Sequence, residues 1–182
     1  MMGTNPSPRR LKHHVSDVAV EHRWWGELAR ILTATSRYLR AGTHSAQDVR
    51  DYLRHRGVPS ALVQRVIVTC QARGLLDDRA CAQLLADHWA RDGYAWTAIA
   101  ARLAARGLEA HAVTAGRAVG ITGADDAARA RELISRSTRG AVHTVAARVR
   151  LVRLLAARGF DEALIEQVVT EIFGSIPSHA ES

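Results

Sequence analysis

The chain has 182 residues, 47% hydrophobic and 5% aromatic, with 25 basic against 18 acidic residues and a formal charge of +7. That is enough apolar material for a substantial core, and the abundance of Ala, Arg, Leu and Val favours helix over sheet. No apolar run approaches the roughly 18 residues of a membrane-spanning helix, and no apolar stretch follows the polar start Met1 to Lys12 as a secretory signal requires. A soluble, cytoplasmic protein is expected. Cys70 and Cys81 fall inside helical patterns and read as small buried thiols of a reducing compartment.

Residues 1–18, with two prolines and scattered polar groups, are expected to be disordered. A first amphipathic helix is expected over Ala19 to Arg40, where Trp24, Leu28, Ile31, Leu32, Tyr38 and Leu39 recur at helical spacing. Trp24-Trp25 fits packing in a core or against a partner helix, with stacking on nucleic-acid bases as the alternative. After the turn at Ala41 to His44, Ser45 caps a helix with Asp48 as its N3 residue, a short-armed capping box. Val49, Tyr52 and Leu53 form its apolar stripe, and it stops at Arg56-Gly57. Pro59 suits the first turn of the next helix, which Leu62, Val63, Val66, Ile67 and Cys70 drive into a core.

Gly74-Leu75-Leu76-Asp77-Asp78 is a helix-to-helix joint. Gly74 closes one helix in the left-handed conformation, Leu75 and Leu76 fold back on the apolar face, and an aspartate caps the next helix. That helix runs to Arg91 with Leu84, Leu85 and Trp89 on one face, and Asp92-Gly93-Tyr94 breaks it. Trp96, Ile99 and Leu103 mark the following helix. Glu109 to Val119 makes a weaker one, because Gly116 interrupts it at about 1 kcal/mol relative to Ala. Ala124 to Ser137 is helical with Leu133 and Ile134 inward. A long helix over Ala141 to Arg158 shows Val142, Val145, Val149, Val152 and Leu155 in steps of three and four, and Asp161 to Phe173 is the last.

A repeat underlies this order. Gly57, Gly107 and Gly159 are each preceded by Arg56, Arg106 and Arg158. Four residues before each stands Leu53, Leu103 or Leu155, and eight before stands Val49, Ile99 or Leu151. One after comes Val58, Leu108 or Phe160, and six after comes Val63, Val113 or Ile165. The expected fold is therefore all-α, three tandem three-helix units in an elongated array. Their bounds are 19–74, 75–122 and 123–174, with a flexible acidic tail over 175–182. The recurrent Arg-Gly is itself explained by a cation at a helix C-terminus and a left-handed glycine.

Catalytic and metal chemistry finds no foothold. The sole lysine is Lys12, no Gly-x-Ser-x-Gly occurs, and Cys70, Cys81 and His88 are too unevenly spaced for zinc. Asp77-Asp78 and Asp125-Asp126 sit at helix starts, where capping accounts for them. No enzyme, cofactor or metal is expected. What remains is cationic. Five acids and no Lys or Arg lie in residues 160–182, leaving 25 basic against 13 acidic residues before them, a net of +12 that suits a polyanion or an acidic protein surface. Arg50, Arg54 and Arg56 lie on the first middle helix, Arg102 and Arg106 on the second, and Arg148, Arg150, Arg153 and Arg158 on the third. Aligned, they would form a stripe for phosphates; a merely solvated face is the alternative.

Four segments together resemble the RecX family, regulators of the RecA recombinase. They are Ser45-x-x-Asp48-Val49-x-x-Tyr52-Leu53-x-x-Arg56-Gly57, Gly74-Leu75-Leu76-Asp77-Asp78, Ile99-x-x-x-Leu103-x-x-Arg106-Gly107-Leu108, and Arg153-Leu154-Leu155-x-x-Arg158-Gly159-Phe160. The resemblance spans about Ser36 to Phe173. It implies a curved array of three-helix repeats that binds RecA–DNA filaments and inhibits ATP hydrolysis and strand exchange, so regulating recombinational repair and the SOS response. Single- and double-stranded DNA are further implied ligands. The chain departs from the family at Arg91-Asp92-Gly93-Tyr94-Ala95-Trp96, where an Arg/Ser-rich run is usual, and at Arg102, where Glu is usual. A helical DNA-binding or adaptor module with no RecA link is the rival reading.

Overall fold

The structure, a computed structural model, describes residues 9–137 and 144–174, with side chains from Trp25 onward. Among these residues all regular structure is helical: α1 (Arg9–Arg40), α2 (Ala46–His55), α3 (Ser60–Ala72), α4 (Asp78–Arg91), α5 (Trp96–Ala105), α6 (Glu109–Ala118), α7 (Asp126–Ser137), α8 (Val145–Ala157) and α9 (Glu162–Phe173). The chain divides into two compact units between Leu76 and Asp77. The first holds α1 to α3 around one buried cluster. The second holds two, one under α4 to α6 and one under α7 to α9. The three clusters are consistent with three helical copies, although Ala95 of the second expected copy joins the third cluster.

The joints explain why the copies look alike. In each, the residue after glycine donates its N–H to a carbonyl five back: Val58 to Leu53 at 3.1 Å, Leu108 to Leu103 at 2.9 Å, Phe160 to Leu155 at 3.2 Å. Glycine itself donates three back, from Gly57 to Arg54, Gly107 to Ala104 and Gly159 to Ala156, each at 2.9 Å. This double closure needs positive φ, which the glycines supply at 73°, 70° and 80°. The leucine five back is buried in every copy, so a single apolar contact seals each turn.

Local capping follows the sequence. Ser45 Oγ accepts the Asp48 N–H while Asp48 accepts the Ser45 N–H, and Asp77 accepts from Ala80 at the start of α4. Thr144 and Asp161 cap α8 and α9 in the same way.

Several sequence expectations fail for identifiable reasons. The backbone is helical from Arg9, so the first helix begins ten residues before the expected Ala19. At the Gly74 joint only Leu76 turns inward; Leu75 is exposed. On α4, Leu84 is 61% exposed, and Cys81, Ala82, Leu85 and Ala86 make the core face instead. Val113 is 59% exposed although its counterparts Val63 and Ile165 are buried. The cause is a shorter joint: α6 begins two residues after its glycine, whereas α3 and α9 begin three after. The fourth residue of each helix is the buried one, and in α6 that is Ala112.

Gly116 proves to be a packing residue. A Cβ there would stand 2.6 Å from the Trp96 ring and 2.8 Å from the Ile121 carbonyl oxygen. The α8 stripe is also displaced. Val145, Val149 and Val152 face solvent, and Ala147, Leu151 and Leu155 are buried. The expected start of that helix at Ala141, with Val142, lies outside the described residues, as do residues 1–8 and the tail over 175–182.

Candidate functional site

The nine candidate arginines divide into engaged and outward-facing groups. In the first unit, Arg50 donates from Nη1 to Gln47, and Arg54 stands 4.0 Å from Asp51. Arg56 lies with its guanidinium carbon 4.1 Å from the Tyr52 ring centre, and Tyr52 continues a stack through Tyr38 to His44 at centroid spacings of 4.1 and 3.9 Å. Both Arg54 and Arg56 are exposed.

In the second unit Arg102 and Arg158 converge on Tyr94, at 3.9 and 4.5 Å from its ring centre. Arg158 also donates from Nη1 to the Asp92 carbonyl at 2.6 Å. Around that contact the α5 start and the α8 end are sewn together: Ala95 N–H donates to the Arg158 carbonyl at 3.0 Å and Thr97 Oγ1 to the Gly159 carbonyl at 3.0 Å. Arg158 is thus half-buried and structurally committed, and Arg106 is half-buried too. Arg148 is half-buried, with a buried Nη1 that has no hydrogen-bond partner among the described residues. Arg150 and Arg153 point outward on α8 at i and i+3, on the helix that also exposes Val149 and Val152.

Tyr94 was the organising residue that helical spacing did not reveal. The available signal was its place in the very segment that departs from the Arg/Ser-rich pattern. The position of Asp126 at a helix start predicts a cap for its own helix. It caps α5 instead, accepting the Trp96 N–H at 3.0 Å while paired with Arg129.

The remaining polar chemistry is structural. Burial pushes the Cys70 thiol above its ordinary 9.0, against the pull of Arg73, so it stays protonated at neutral pH. The Thr122 hydroxyl and N–H hold Asp125 below the usual carboxylate range. Gln167, and then the bidentate Arg131, do the same for Glu171 on α9. Among the described residues no group of three or more His, Cys, Asp or Glu is placed to hold a metal ion, and no helix is long and apolar enough to cross a membrane.

No protein-family model matches the sequence. Curated relatives do. The chain is 32% identical over 147 residues to the regulatory protein RecX of Thermobifida fusca (strain YX), covering 79% of this chain and 78% of that protein. It is 34% identical over 151 residues to the regulatory protein RecX of Mycobacterium leprae (strain Br4923), covering 79% and 84%. Its fold matches the crystal structure of RecX from Lactobacillus salivarius with a TM-score of 0.63 at 16% identity, over 81% of this chain and 97% of that one. A second crystal structure, of a regulatory protein RecX, matches with a TM-score of 0.62 at 18% identity, over 92% and 80%. With relatives above 30% identity aligned across most of both chains, and with solved structures of the same helical architecture, the chain belongs to the RecX family of regulatory proteins.

Proposed function

We propose that the protein binds RecA–DNA filaments and lowers their rates of ATP hydrolysis and strand exchange, acting as a non-enzymatic modulator of recombinational repair and the SOS response. The observation that carries this reading is the alignment with regulatory RecX proteins over nearly four-fifths of the chain. The exposed cations support it. Arg54 on α2, Arg56 at its C-terminal cap, and Arg150 and Arg153 on α8 present guanidinium groups from a rigid helical frame, suited to phosphates or to an acidic protein surface. Arg158, Arg106 and Arg148 contribute less directly, because they are half-buried at the ends or flanks of their helices.

The test is the ATPase rate of RecA on single-stranded DNA as this protein is titrated in. The rate is expected to fall, and an unchanged rate would refute the proposal. Arg150→Glu with Arg153→Glu, both at solvent-facing positions, should weaken the inhibition while helicity by circular dichroism stays at the parent level. Inhibition that persists undiminished would remove α8 from the contact surface. Rising salt should weaken filament binding steeply if phosphates are contacted.

A further inference from the structure

Among the candidate arginines, Arg102 holds an unusual place in the repeat. It stands five residues before Gly107, where the first and third copies have Tyr52 and Leu154 before Gly57 and Gly159. Both counterparts are half-buried and pack against the clusters of their own copies. The second copy alone places a charge at this position, and its side chain is exposed. A cation where the fold elsewhere seats an apolar residue answers to something other than stability.

Aromatic rings hold that cation in place. The Arg102 guanidinium carbon lies 3.9 Å from the Tyr94 ring centre and 5.8 Å from that of Trp89. Its N–H groups have no acceptor among the described residues. Tyr94 is itself held by Arg158, whose guanidinium carbon is 4.5 Å from the ring centre and whose Nη1 donates to the Asp92 carbonyl. A guanidinium stacked on a ring keeps its edge donors for a bidentate acceptor, and little side-chain freedom is left to lose when one arrives. The other charges of this corner are already paired: Arg91 with Asp87, His88 with Asp92, and Arg136 with Glu132.

We propose that Arg102 grips a carboxylate on the RecA protein of the filament, and that Tyr94 is a positioning residue that aims it. The contact rests on the function proposed above and names the chemistry of one point in it. Arg, Tyr and Trp together are the composition of a protein–protein anchor, in which a desolvated cation is backed by rings. A track for phosphates calls instead for several uncommitted cations in file. Here Arg91, Arg136 and Arg158 are all engaged, so the corner fits an acidic side chain of a protein rather than a nucleic-acid backbone.

Binding of the labelled protein to RecA–DNA filaments locked with a non-hydrolysable ATP analogue, measured over a salt series, tests the proposal. Arg102→Ala should weaken binding about tenfold while leaving the salt dependence as in the parent. Tyr94→Ala should weaken it nearly as much, Tyr94→Leu likewise with apolar bulk retained, and Tyr94→Phe should bind as the parent does. In the Arg102→Ala background Tyr94→Ala should cost nothing more, because the ring acts through the guanidinium. A double variant weaker than Arg102→Ala would reduce Tyr94 to a structural role and overturn the aiming. A salt slope lower by about one in Arg102→Ala would assign the contact to phosphate and overturn the carboxylate. Parent binding with Arg102→Ala undiminished overturns this contact alone, whereas a parent that does not bind the filament overturns the function proposed above and the contact with it.

Discussion

The carboxylate of Asp126 accepts the backbone N–H of Trp96 at 3.0 Å, across 30 residues of sequence, and the same carboxylate pairs with Arg129. The α5 helix has no side-chain cap of its own at Ala95, so a residue from the next copy supplies it. Arg129 is only 12% exposed, and its Nε and Nη1 have no hydrogen-bond partner among the described residues. Asp126→Ala should therefore remove a cap and strand a buried cation, lowering stability by about 3 kcal/mol in urea unfolding. Asp126→Asn, which keeps an acceptor, should fall between that variant and the parent.

Gly57 and Gly159 share a left-handed backbone but differ in surroundings. Nothing lies within 4 Å of a Cβ built on Gly57, whereas one on Gly159 would meet Ala98 Cβ at 2.6 Å. Gly57→Ala should cost about 1–2 kcal/mol from the backbone alone. Gly159→Ala should cost more, by roughly another 1–3 kcal/mol, because α5 must move away from the α8 joint. Thermal melts of the two variants, compared with the parent, check the order.

Helix propensity alone makes Gly116→Ala stabilising by about 1 kcal/mol. The packing reverses the sign. The added methyl would enter the space of the Trp96 ring and the Ile121 carbonyl, so destabilisation of about 1–3 kcal/mol is expected. Near-ultraviolet circular dichroism should change with it, since the Trp96 environment is disturbed. A variant as stable as the parent would contradict the observed contact.

Glu171 links α9 to α7, with its carboxyl held below the ordinary 4.5 by Gln167 and then Arg131. A carboxylate lowered on folding adds stability that is present above its unfolded value and is lost as pH falls through the folded one. The protein should thus weaken as acid passes below 4.5, and Glu171→Gln should flatten that acid limb by lowering stability slightly at neutral pH while leaving it unchanged in acid. Urea midpoints at neutral and acid pH measure the difference.

Most of the helices were legible because their ends are local events. Ser45 with Asp48, and Asp77, cap where the sequence indicated, and the recurrent glycines all close their helices. Which face of a helix turns inward was less legible wherever alanine fills the core. The α8 helix is apolar on two sides, and the three-and-four spacing that reached the buried Leu155 also took in Val145, Val149 and Val152, which face solvent, and passed over the buried Ala147. The functional surface was harder still: Arg158 and Arg153 look alike in sequence, and only the distant Tyr94 and Asp92 distinguish an anchored cation from an exposed one.

The short α6 joint has a consequence for modularity. One residue fewer after Gly107 turns the helix by about 100° relative to its counterparts, setting Ala112, Ala115 and Gly116 inward and opening a slot that Trp96 fills. The indel and the indole are thus a matched pair. Transplanting α9 with its longer lead-in into this slot would bring branched side chains where the ring now lies, so neighbouring copies that share an ancestral pattern have ceased to be interchangeable parts.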